Sequence, residues 1–107
     1  MANQFRGGMN ELMRQAARIQ RRVEDTKKAN ADKEVSATAL GEKVKATANY
    51  AGKVTRVEID PEFLKSEGID VALDGVVLAV NSAIETASKA MDVEVEKITG
   101  GVKIPGI

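Results

Sequence analysis

The sequence contains no cysteine and no histidine, and only three of its 107 residues are aromatic. Without these side chains there is no disulfide, no thiolate nucleophile, no Ser-His-Asp triad, and no zinc or haem site of the usual kinds. The longest uninterrupted apolar run, Val76–Val80, is far shorter than the roughly 18–20 residues that span a bilayer. These absences exclude most common enzyme classes. They predict a cytoplasmic protein that has no cofactor, no metal and no membrane partner.

The length of the chain limits the number of domains, and its charged residues are unevenly distributed. A chain of 107 residues is long enough for one hydrophobic core, so residues 1–107 are predicted to form a single domain. The 16 Lys and Arg balance the 16 Asp and Glu, but seven of the cations and only three of the anions lie in residues 1–30. The N-terminal segment is therefore the basic pole of the protein.

Residues 8–31 have the pattern of a helix. Apolar or small side chains recur there at steps of three and four residues, which places them on one face of a helix, and this row is called the seam: Met9, Leu12, Ala16, Ile19, Val23 and Thr26. The helix is predicted to begin near Gly8, with Asn10 as an alternative cap. Three heptads are few for a coiled coil, so the seam is expected to pack on the protein's own sheet or on a partner subunit.

Residues 33–60 change to a period of two, which is typical of strands. Three alternating segments predict an antiparallel meander with a shallow face of valine and alanine. Gly41-Glu42 has the composition of a two-residue type II′ hairpin, and Ala51-Gly52 separates the second and third strands.

The C-terminal half predicts a second long helix. Asp60-Pro61 ends the sheet, because proline cannot donate to a strand ladder and Asp before Pro caps a short helical turn. Helical spacing then runs over residues 69–98, with Gly75 as an unfavourable interior residue, and residues 99–107 form a short tail. The apolar face of this helix is predicted to comprise Ile69, Leu73, Val76, Val80, Ile84, Ala87 and Met91.

The predicted fold class is α+β. Because two strand edges are open and large side chains are few, we expect a dimer.

Cations line the predicted first helix on the face opposite the seam. Four of them, spread over about 21 Å, form the basic row, and Arg22 and Lys27 flank it; the row comprises Arg14, Arg18, Arg21 and Lys28. Duplex DNA carries about one phosphate charge per 1.7 Å of its axis, so a row of this length matches several phosphates. A solvated face of an ordinary amphipathic helix is the alternative interpretation.

Other candidate sites have weaker patterns. Two acidic groups lack the spacing of a calcium loop, namely Glu58 with Asp60 and Glu62, and Asp92 with Glu94 and Glu96. The glycine pairs lack the context of a phosphate-binding loop, and the three aromatic residues are too scattered to stack single-stranded bases.

Four motifs in order resemble the YbaB/EbfC family of bacterial nucleoid-associated proteins. They are Asn10-Glu11-Leu12-Met13-Arg14-Gln15-Ala16 with Gln20, Val57-Glu58-Ile59-Asp60-Pro61, Asn81-Ser82-Ala83, and Thr99-Gly100-Gly101 with Ile104-Pro105-Gly106. The resemblance implies a tweezer-like homodimer that binds double-stranded DNA in the nucleoid with little sequence preference, in a replication or recombination context, and it does not imply an enzyme. Arg14 matches the family by motif, whereas Arg18, Arg21, Arg22 and Lys28 match by helix face only.

Two functions therefore remain open. The first is a non-catalytic homodimer that holds duplex phosphates with its basic helices and so compacts or bridges DNA. The second is a dimeric adaptor that binds a protein through the seam or an open sheet edge. A small hydrolase that uses scattered carboxylates is a distant third.

Overall fold

The computed structural model describes residues 2–100, with side chains from Gly8 onward. Its elements are, in order, α1 (Ala2–Asn30), β1 (Glu34–Ala39), β2 (Val44–Asn49), β3 (Val54–Ile59), α2 (Pro61–Glu67) and α3 (Ile69–Thr99). The predicted order of helix, three strands and helix is confirmed, with the predicted turn after Pro61 lengthened into α2. The tail predicted for residues 99–107 begins inside α3, and residues 101–107 lie outside the described part of the chain.

Helix α1 begins six residues earlier than predicted. The expected start at Gly8 and the alternative cap at Asn10 are both wrong, because the helix runs from Ala2 straight through Gly7 and Gly8. A glycine in a helix interior costs only about 1 kcal/mol relative to alanine, so the pair does not end a helix that favourable residues continue on both sides.

The three strands form an antiparallel sheet in the order β1-β2-β3. Ala46 of the central strand lies between Ala37 of β1 and Val57 of β3, so these three side chains share one face. On that face the residues of β2 are fully buried against the alanines of α3, and this core comprises Val44, Ala46, Ala48, Ala79, Ala83 and Ala87. Such small side chains let the helix lie close to the sheet.

The first hairpin differs from the predicted two-residue turn. Strand pairing ends at Ala39 and Val44, so the connection has four residues, Leu40–Lys43. Three of them in succession have positive φ angles, of 54°, 64° and 69° at Leu40, Gly41 and Glu42. A type II′ turn has only one such residue, so the predicted turn type is wrong.

Helix α3 approaches the sheet closely at Gly75, which is buried. A Cβ atom added there would lie 2.6 Å from Leu40 Cδ1 and 2.9 Å from Val44 Cγ2. From the sequence, Gly75 is expected only to lower the stability of the helix. In the folded protein the absence of a side chain is what allows helix and sheet to meet.

We expect Gly75→Ala to lower the free energy of unfolding by about 1 kcal/mol, because overpacking costs about 1–3 kcal/mol while helix propensity returns up to about 1 kcal/mol. Val44 is buried and stiff at χ1, so it cannot move away easily. Denaturant unfolding measures the effect. The matched control is Gly8→Ala, where an added Cβ has no neighbour within 4 Å, and stability should be unchanged or higher. Equal effects in the two variants would contradict the close-approach argument.

Asp60 caps helix α2 as the sequence predicts. Its Oδ1 atom accepts hydrogen bonds from the backbone N–H groups of Glu62, at 2.9 Å, and Phe63, at 3.4 Å. These two bonds, with a smaller contribution from Lys43, hold the pKa of Asp60 below its ordinary value.

This lowered pKa predicts a pH dependence of stability. The contribution of the carboxylate is fully present above its unfolded-state pKa and is lost as the pH falls through the lower folded-state pKa. Asp60→Asn keeps a capping oxygen, so its stability at neutral pH should be close to wild type and its loss of stability in acid should be shallower. Asp60→Ala should be less stable already at neutral pH. Thermal unfolding across the acid range measures both, and an alanine variant with the wild-type neutral melting temperature would contradict the capping role.

The molecule is long and narrow, with principal extents of 77, 19 and 16 Å. Helices of 29 and 31 residues are about 43 and 46 Å long, which together exceed this extent, so α1 and α3 overlap along only part of their length. Burial locates the overlap at their C-terminal turns, where Val23 and Asn30 of α1 and Met91 of α3 are buried. The remainder of α1 projects from the body, and its residues 8–18, all exposed, are called the arm.

Candidate nucleic-acid interface

The basic row lies on the outward face of α1. Val23, in the C-terminal half of the seam, is only 2% exposed and packs against α3, whereas all four cations of the row are exposed on the other side of the helix. The expectation that the seam packs on the protein's own sheet is wrong, because α1 packs mainly on α3. Arg14 and Arg18 are on the arm, and Arg21 and Lys28 follow where α3 begins to support the helix. The structure therefore brings together four of the five predicted DNA-binding residues.

Arg22, the fifth predicted residue, is exposed and flanks the row: it is rotated by about 40° from Arg18 and by about 80° from Arg14 around the helix. Lys27 is also exposed, on the side of the seam. Neither residue shares the face of Arg14 and Arg21.

Few acidic side chains compete for these cations. Arg18 Nη2 lies 3.4 Å from Glu11 Oε1, and among the described side chains no other ion pair involves the basic row. Both partners are exposed, and such surface pairs contribute about 1 kcal/mol or less, so a phosphate can replace the carboxylate. The cations of the row are thus available to an external anion.

Asp25 is a feature that the sequence interpretation did not weigh. It lies on the same side of α1 as the row, between Arg21 and Lys28, and is exposed. Its heptad position, which is the same as that of Arg18, could have revealed this. The carboxylate separates Lys28 from the three arginines, so Arg14, Arg18 and Arg21 form the most strongly positive part of the row.

The acidic groups considered as metal sites do not assemble into one. No group of three or more potential ligands suited to a metal occurs among the described residues. Asp60 is engaged in its helix cap, and Glu94 pairs with Lys97 at 3.1 Å.

Within residues 2–100, no helix is long and apolar enough to cross a membrane.

The buried face of α3 overlaps the predicted apolar face only in part. The buried residues are Ala72, Gly75, Ala79, Ala83, Ala87 and Met91. Of the predicted row, Ala87 and Met91 are buried and Val76 and Val80 pack against the core, whereas Ile69, Leu73 and Ile84 are exposed. With Val77 these three form one apolar side of the helix, bordered by the exposed Asp70, which is called the α3 flank. Helix α3 carries seven of the thirteen exposed large hydrophobic residues in the described part of the chain. Such a patch on a small protein indicates an interaction surface.

Comparison with known proteins identifies the family of this chain. Residues 6–102 match the model of the YbaB/EbfC DNA-binding family. A protein of Clostridium kluyveri is 37% identical over 101 residues, which are 94% of this chain and 89% of that protein. One of Anaeromyxobacter dehalogenans is 38% identical over 96 residues, 90% and 93% of the two chains. Both are named nucleoid-associated proteins.

A solved structure supports the fold independently. An uncharacterized protein from Helicobacter pylori superimposes with a TM-score of 0.59, at 14% identity, over 72% of this chain and 89% of its own. At that identity the likeness concerns the fold alone. The match to the family model over nearly the whole chain, together with these relatives at 37% and 38% identity, shows that this chain belongs to the YbaB/EbfC DNA-binding family.

Proposed function

We propose that this protein is a homodimeric nucleoid-associated protein that binds duplex DNA through its phosphates. The observation that carries the proposal is the basic row, whose four cations are exposed on one face of a helix that projects from the body. Relatives named nucleoid-associated proteins support it. The proposed site of action is the nucleoid, in the bacterial cytoplasm.

Phosphate contacts suit the chemistry of the row. Three of its four cations are arginines, which bind phosphate oxygens through two parallel hydrogen bonds and always remain charged. Contacts to phosphates position a protein on DNA without reporting the base sequence. The protein should therefore bind most duplexes with similar affinity.

The α3 flank supports a homodimer. The core of the single chain is built largely from alanine, and its largest fully buried side chains are the valines Val23 and Val44. Larger apolar side chains on α3 remain in contact with water. Pairing of two copies through this flank would bury them and would give each dimer two basic rows, with which it compacts or bridges DNA.

Binding to an unrelated duplex at about 50 and about 200 mM salt tests the proposal, with molar mass determined in the same buffers. A dimer that engages roughly six to eight phosphates should lose about 10³- to 10⁴-fold in affinity between these conditions. A species of one chain would contradict the homodimer, and absence of binding at the lower salt concentration would contradict DNA as the partner.

The exposed apolar residues also favour a second candidate, an adaptor that binds another protein, such as a replication or recombination protein. Association of that kind would be weakly sensitive to salt and would not need the basic row. A clean dimer with no affinity for DNA in the salt experiment would make this candidate the better one.

A further inference from the structure

The arm carries an apolar face that the rest of the chain does not cover. Within the described residues the seam is covered only from Ile19 onward, and its first half lies beyond the overlap with α3. Leu12 is 66% exposed and Met9 is 52% exposed. This half is called the arm seam and comprises Met9, Leu12 and Ala16.

The surroundings of the arm seam suit an identical helix. Its residues have the spacing of a and d positions in a coiled coil, and the positions beside them are uncharged, with Met13, Gln15 and Gln20. Two identical seams can therefore interdigitate without bringing like charges together. A segment of another protein would gain nothing here from charge complementarity, so the chemistry favours a second copy of this chain.

The arm seam and the basic row lie on opposite faces of one helix. If two arms pack seam to seam, the two rows point outward in opposite directions, and each can face a separate duplex. We propose that arms from different dimers pair through the arm seam and so hold two DNA duplexes side by side. This inference rests on the proposed function. It adds a second binding partner besides DNA, namely another copy of the chain that is bound to another duplex.

DNA should promote this pairing. A contact of two to three helical turns is too short to persist in isolation. Binding to DNA raises the local concentration of arms, so pairing becomes favourable on DNA.

A retention experiment tests the inference. A biotinylated duplex is immobilised, and a second, labelled duplex of unrelated sequence is retained only if protein joins the two. The variant Met9→Gln with Leu12→Gln changes no charge and keeps good helix formers. We expect retention to fall at least tenfold while affinity for a single duplex stays within twofold. The control, Leu78→Gln, removes a similarly exposed leucine from α3 and should retain the second duplex as the wild type does.

Cross-linking gives an independent test, because the chain has no native cysteine. Ala16→Cys places a thiol on the arm seam, and Ala17→Cys places one at the adjacent exposed position, turned away from it. Oxidation should link chains of the Ala16→Cys variant efficiently and only in the presence of duplex, and should link chains of the Ala17→Cys variant poorly.

The outcomes separate this inference from the proposed function. If the wild type binds single duplexes but retains no second one, or if the glutamine variant retains it equally, arm pairing is wrong. Equal cross-linking at the two positions, or none at either, also contradicts it and leaves the arm seam to another occupant. If the wild type binds no duplex at all, the proposed function itself fails.

Discussion

Replacing Arg14, Arg18 and Arg21 together by alanine should weaken binding to every duplex by about 10²-fold or more at about 0.1 M salt. The variant removes three cations from each chain, and the slope of log affinity against log salt should decrease by about 0.9 for each phosphate that is no longer neutralised. All three side chains are exposed, and alanine is the best helix former, so the fold should be unaffected. Fluorescence anisotropy at several salt concentrations measures both quantities.

A control variant distinguishes the basic row from net charge. Arg56→Ala with Lys65→Ala and Lys89→Ala removes the same charge from exposed positions on the body. We expect its affinity to stay within about threefold of wild type, because these cations lie away from the row. Similar losses in both triple variants would mean that charge in general, and not the row, holds the DNA. If the triple variant at Arg14, Arg18 and Arg21 folds and binds DNA with wild-type affinity, the basic row is not part of the DNA-binding site.

The elements of this fold could be predicted because their signals are local. The cap at Asp60-Pro61 depends on backbone groups two and three residues away, and the structure confirms it. The alternation that predicted the strands is equally local, and β2 buries the residues that this pattern selects. Helical spacing also placed the basic row on one face, since the relation between Arg14 and Arg21 follows from helix geometry alone.

Features set by the distance between elements could not be predicted in this way. Leu73 and Ile84 are among the larger hydrophobic residues of α3, so a sequence pattern assigns them to the core. The sheet accepts the alanine face instead, because Ala46 and Gly75 allow a close approach that larger side chains would prevent. Which face of an apolar helix is buried therefore depends on the size of the residues opposite it.

The candidate site also combines local features, which the sequence predicts, with features set by packing, which it does not. The sequence reveals which cations share a face. It does not reveal that α3 covers α1 only from Ile19 to its C-terminal end and leaves residues 8–18 exposed. The overlap of the two helices follows from where each packs on the sheet, and this exposes Leu12 while it buries Val23. The arm is thus a consequence of packing, although each of its residues was visible in the sequence.

Val77→Glu should convert the protein from two chains to one at micromolar concentration, and light scattering will measure the mass. Val77 is 59% exposed in the single chain and lies on the α3 flank, between Leu73 and Ile84 along the helix. In a symmetric dimer each substitution occurs twice in one interface, so two carboxylates would lose water without gaining partners. The isolated chain should still fold, because the new side chain remains in water there.

The neighbouring position provides the control. Leu78 is 57% exposed, nearly the same as Val77, but is rotated about 100° further around α3, away from the flank. Leu78→Glu should remain a dimer with wild-type affinity for DNA, whereas Val77→Glu should bind DNA more weakly because each molecule then presents one basic row instead of two. If Val77→Glu remains a dimer, the flank is not the interface. If it becomes a monomer with unchanged affinity, dimerisation is real but one row is sufficient to hold a duplex.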